Sequence, residues 1–214
     1  MTGPTKTLLH HDGPTGTSMP AGLKIVVTGP FDAGKTTLIE TISEIAVVST
    51  ERAVSGWSQE AEVEHSGRTT VAMDYGRVSL EAGLALHLFG TPGQERFEFM
   101  WDILAEGMLG FVLVVDARRP ETLVDARHQH AHFGAAADVP VVVAVNKLPV
   151  GADEAAALAV VRERLAVAGD VPVLAVDVRL REDVKRVLVA LLQAVLARMT
   201  GDADSDTSVA AVHR

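Results

Sequence analysis

Residues 29–37 read GPFDAGKTT, the G-x-x-x-x-G-K-[ST] spacing that lets a backbone turn cradle phosphate. Gly29 and Gly34 allow the tight turn and the close approach of backbone to ligand. The main chain through Gly29, Phe31, Asp32, Ala33, Gly34, Lys35, Thr36 and Thr37 would face the phosphates, helped by the N-terminus of the helix that follows. Lys35 is placed to reach the β- and γ-phosphates and Thr36 to ligate Mg²⁺. Phe31 and Asp32 are unusual occupants: Phe31 brings bulk toward the γ-phosphate, and Asp32 brings an acid close to an anion.

The elements that must hold this loop alternate along the chain. Apolar runs at 23–28, 110–115, 139–145 and 173–176 read as strands, and 71–80 and 84–89 as a hairpin around Glu81-Ala82-Gly83. Helical patterns cover 35–45, 99–107, 121–133, 153–168 with Asp153 as N-cap, and 181–199. Near-continuous apolar strands between helices imply an α/β fold. The expected sheet is six-stranded and mostly parallel, with one antiparallel edge strand and helices on both faces. Ligands on such sheets bind at the carboxyl ends of the strands. Residues 1–22 and 200–214 are polar and read as disordered flanks, which leaves an ordered body at 23–199.

A second signature, Gly90-Thr91-Pro92-Gly93-Gln94-Glu95-Arg96-Phe97, follows the third strand. With the loop and the strand order, it resembles the Ras-like small GTPases, whose matching segment reads D-T-A-G-Q-E. The finer details are similar to the conservon GTPases of actinomycetes and, more distantly, to the gliding-motility polarity GTPases. The resemblance spans 23–199 and implies a P-loop G domain that binds GTP and GDP with Mg²⁺ and works as a hydrolytic switch, slow because Phe31 stands where most of that family has glycine and obstructs closure. It implies that Gly93 offers an N–H to the γ-phosphate and that Gln94, with Lys35 and Thr70, is catalytic. Thr70 joins Thr36 at the metal, with Thr69 as the fallback. Residues 46–70 become the first switch segment; Arg52 and Arg68 within it are candidate arginine fingers or plain surface arginines. The resemblance also implies a small roadblock-type partner and, in the conservon setting, a membrane histidine-kinase-like sensor.

Three departures bear on function. Gly90 stands where the family has an aspartate near the metal; Asp74 is a compensating candidate or a plain strand-end carboxylate. Asn146-Lys147-Leu148-Pro149 keeps the Asn and Lys of N-K-x-D but replaces the guanine-reading acid with Pro149. Asp177-Val178-Arg179 stands where the family has S-A-K, so Asp177 and the Val178 N–H are the remaining base contacts. Three readings stay open: a GTP switch, a G-domain scaffold without hydrolysis, and an NTPase that tolerates adenine.

Composition narrows the setting. The 214 residues carry a net charge of −9 and no cysteine. No basic stripe suggests a nucleic-acid partner. Disulfides, thiolate zinc sites and cysteine lipidation are excluded. No apolar run approaches a membrane span and no leader pattern opens the chain, which points to the cytoplasm, with any membrane association through a partner. His128 and His132 share a helix face, but no carboxylate beside them in sequence completes a metal site. Phe97, Phe99, Met100 and Trp101 read equally as core or as partner surface, and Trp57 as a partner contact.

Overall fold

The computed structural model describes residues 22–49, 73–80, 83–93 and 95–210. Strand β1 (Gly22–Thr28) leads through the glycine loop into α1 (Lys35–Ile42) and then a two-residue strand, β2 (Val48–Ser49). The hairpin β3 (Asp74–Ser79) and β4 (Ala85–Gly90) follows. After a 3₁₀ turn at 95–100 come α2 (Trp101–Ala105), β5 (Gly110–Asp116), α3 (Leu123–Ala136) and β6 (Val141–Asn146). The chain continues through α4 (Glu154–Leu165), β7 (Val173–Val176) and α5 (Arg181–Ala210).

The sheet order is β2-β3-β4-β1-β5-β6-β7. β4, β1, β5, β6 and β7 run parallel, and β3 pairs antiparallel with β4. This is the expected sheet with β2 added outside β3. β5 and β6 are buried along their whole length, as runs covered on both faces must be. Alternate residues feed two cores. Ile25, Val27, Val112 and Val114 pack with Leu38 and Ile39 of α1 and Leu191 of α5. Val26, Leu113, Val115 and Val143 pack with Trp101, Phe133 and Leu165 of α2, α3 and α4.

Asp153 caps α4, its Oδ1 accepting from the Ala156 N–H at 3.0 Å. Helix α5 runs beyond the expected end at Met199 to Ala210. No helix among the described residues is long and apolar enough to cross a membrane.

Candidate functional site

The carboxyl ends of β1, β4, β5, β6 and β7 converge on one edge of the sheet, and the glycine loop lies across it. Gly29 has φ 144°, and a Cβ there would sit 2.1 Å from the Val114 carbonyl oxygen. No side chain fits such a gap. Asp32 holds a left-handed conformation, φ 62°. Gly34, φ 113°, opens α1; a Cβ there would meet Asn146 Nδ2 at 2.5 Å. Lys35 is buried, and its ammonium donates to the Gly29 and Pro30 carbonyls, each at 2.8 Å. The lysine therefore lies along the mouth of the cradle it would serve.

The loop is braced from the base side. Asn146, 3% exposed, donates from Nδ2 to the Ala33 carbonyl at 2.9 Å. Its Oδ1 accepts from the Val178 N–H at 3.3 Å. One amide thus ties the loops after β1, β6 and β7. Lys147, φ 59°, donates to the Asp32 carbonyl and lies 3.2 Å from Asp32 Oδ2 and 3.1 Å from Asp116 Oδ2.

Asp116, Arg118 and Arg119 are the residues that sequence reasoning missed. Asp116 ends β5 fully buried. Burial pushes its pKa up, but hydrogen bonds from the Arg118 side chain and backbone and from Lys147 outweigh that and hold the carboxyl below its usual range. Arg119 lies 3.5 Å from the same carboxylate and donates to the Phe31 carbonyl. The one available signal was the polar run Asp116-Ala117-Arg118-Arg119 directly after an apolar strand, at the strand end where ligands bind.

On the other flank, Thr36 Oγ1 donates to Asp74 Oδ2 at 2.5 Å. Thr91 donates to Thr28 Oγ1 at 2.9 Å, and Thr28 to Gln129 Oε1 at 3.4 Å, a buried polar chain at the root of the second signature. Gly93 rests on the loop: a Cβ there would lie 2.6 Å from the Phe31 nitrogen and 2.7 Å from Lys35 Nζ. Phe31 itself is 56% exposed.

A cleft of about 740 Å³ runs from Gly34 and Thr37 past Asn146 and Pro149 to Asp177 and Val178. Asp177 is engaged by Arg179, Nη2 to Oδ2 at 2.6 Å, which holds its carboxyl below the usual range. The structure therefore brings Gly29, Phe31–Thr37, Gly93, Asn146, Lys147, Asp177 and Val178 to one place. Gln94, Thr69, Thr70, Arg52, Arg68 and Trp57 lie outside the described residues.

Two smaller expectations change. His128 and His132 do meet carboxylates: Glu98 stands 3.3 Å from His128 Nε2, and Asp102 3.1 Å from His132 Nε2. Those acids come from the preceding turn and α2, so proximity in sequence could not show them. No cluster of three or more His, Asp or Glu side chains that could hold a metal ion is found among the described residues, this pair of histidines included. The aromatic run splits, with Trp101 1% exposed and in the core and Phe99 59% exposed.

Fold and loop together define a P-loop NTPase. The chain belongs to the family described as conserved hypothetical ATP binding protein, whose model matches residues 27–210. It is similar to an uncharacterized protein of Methanocaldococcus jannaschii, 33% identical over 129 residues that make up 60% of this chain and 72% of that one. It is also similar to translation initiation factor IF-2 of Rickettsia bellii, 30% identical over 128 residues, and of Jannaschia sp., 32% over 136. Those segments are 58% and 62% of this chain but 13% and 14% of the two factors, so the likeness to them concerns one part of a longer protein.

Proposed function

We propose that the chain is a Ras-like, Mg²⁺-dependent switch that binds GTP and hydrolyses it slowly to GDP and phosphate. The observation that carries this reading is the bracing of the phosphate loop by Asn146 and Lys147 through the successive carbonyls of Ala33 and Asp32. A bare phosphate turn has no need of two side chains from the end of β6, two strands away from β1. A site that must couple a base pocket to a phosphate cradle does.

In this reading Lys35 neutralises charge on the β- and γ-phosphates, and the Gly93 N–H meets the γ-phosphate. Gln94 orients the attacking water, whose oxygen bonds to the γ-phosphorus as the bridge to the β-phosphate breaks. Bound Mg²⁺ would offset phosphate charge, with Thr36 and Thr70 as its protein ligands. Phe31 leaves the loop at the contact with Gly93, where bulk hinders closure around the transferring group; slow turnover follows.

Two observations favour a second reading, an NTPase that tolerates adenine. Pro149, at the rim of the cleft, has no side-chain acceptor for guanine's N1–H and N2–H₂, and the family's description names ATP. Asp177 stands in the same cleft as an acceptor and keeps the guanine reading in first place. A scaffold without hydrolysis is opposed by the built cradle. The actinomycete branch rests on residue resemblance, the cytoplasmic setting on the sequence pattern, and the roadblock-type and sensor-like partners find no support in the family match or the relatives.

Phosphate release from GTP and from ATP, for wild type and Lys35→Ala, tests the reading. Release from GTP that Lys35→Ala abolishes is expected. Equal release from both nucleotides would replace the guanine reading with the adenine-tolerant one, and no release from either would leave the scaffold.

A further inference from the structure

We infer that Asp74, on the strand opposite Gly90, is the carboxylate that positions Mg²⁺ at this site; the inference rests on the nucleotide-binding reading above. Asp74 opens β3 and is 6% exposed. Its Oδ2 takes the only proton of the Thr36 hydroxyl. The lone pairs of Thr36 Oγ1 are then left for a cation, one residue after the lysine of the phosphate loop. Its Oδ1 is buried and has no hydrogen-bond partner among the described residues. A buried carboxylate oxygen without a donor is costly. A water held by a hard cation that keeps most of its hydration shell, as Mg²⁺ does, supplies that donor.

The pairing register explains how the acid reaches this point. Asp74 stands directly opposite Gly90 in the β3–β4 ladder. A Cβ at Gly90 would lie 3.0 Å from Asp74 Cβ and 3.3 Å from Asp74 Oδ2. Asp74, together with the flexible end of Ile39, whose Cδ1 would lie 2.9 Å from that Cβ, thus fills the space that a side chain at 90 would need. Two acids cannot share it, but either strand could deliver one. Asp74 is a positioning residue, acting through Thr36 and metal-bound water.

The test is calorimetric titration with GDP, and with ADP in parallel, at a series of free Mg²⁺ concentrations and in EDTA. Wild type is compared with Asp74→Asn, Gly90→Asp and the pair Asp74→Gly/Gly90→Asp. Asp74→Asn should raise the Mg²⁺ midpoint for tight binding by about 10- to 100-fold, the usual effect of removing a partner of a metal ligand. Affinity in EDTA should be unchanged. The reciprocal pair should recover most of the loss, while Gly90→Asp alone should not bind tightly. A wild-type midpoint in Asp74→Asn, or no recovery in the reciprocal pair, would overturn the inference while nucleotide binding stands. Failure of wild type to bind either nucleotide would overturn both. If Asp74→Asn does not fold, as judged by circular dichroism, the reciprocal pair decides.

Discussion

Replacing Asn146 with alanine should loosen three loops at once, and the structure sets the size of the effect. The side chain is buried and makes two hydrogen bonds to backbone, one of 2.9 Å to Ala33 and one of 3.3 Å from Val178. Truncation leaves a carbonyl and an N–H without partners, at about 1–3 kcal/mol each. The longer bond counts at the low end, so the expected loss is about 2–4 kcal/mol. For a domain of this size that lowers Tm by roughly 4–16 °C. Gly34 sharpens the test. Alanine there is strained at φ 113° and would press its Cβ to 2.5 Å from Asn146 Nδ2. In the Asn146→Ala background that clash disappears while the backbone strain remains. The double variant should therefore be less destabilised than the sum of the singles, by about 1 kcal/mol or more. Chemical denaturation of the four proteins measures both quantities. A loss below about 1 kcal/mol for Asn146→Ala, or strict additivity, would refute the bracing argument.

Three more outcomes are expected. Asp116 has a folded pKa below its unfolded value of about 3.9, so its contribution is fully present above that value and fades as pH falls through the folded pKa. Asp116→Asn should lower stability at neutral pH and flatten the acid limb of a denaturation series; parallel curves for variant and wild type would count against the role given to the cluster. Pro149→Asp should raise the preference for GTP over ATP by about 10-fold or more, because it restores an acceptor at the base edge, and competition binding reads this directly. Phe31→Gly should speed GTP hydrolysis by about 10-fold under single turnover; an unchanged rate would remove Phe31 as the cause of slowness.

The parts legible in sequence were those written in local pattern. Val173–Val176 is a strand with the bounds its apolar run suggests, and β5 and β6 follow the uninterrupted Val-rich segments. The loop residues 29–37 and the pair Asn146-Lys147 were legible because fixed spacing carries their geometry. What escaped depends on contacts between distant segments. Asp74 could not be assigned to Thr36 without the register that sets it opposite Gly90. The Asp116–Lys147 pair joins two strand ends that become neighbours only in the folded sheet. The two-residue strand Val48–Ser49 is too short to leave a period, and its pairing with Asp74 and Tyr75 is what defines it. Residues 200–210 extend α5 although Gly201, Asp202, Asp204 and Asp206 are poor helix formers with no apolar stripe to mark them.

Everything proposed for this site requires that the braced loop hold a nucleotide. Isothermal titration of the full chain with GDP in Mg²⁺, beside Lys35→Ala, measures this. Saturable one-to-one binding by wild type, weakened at least about 100-fold by Lys35→Ala, is the predicted result. No heat from GDP, or equal affinity in the two proteins, would contradict it.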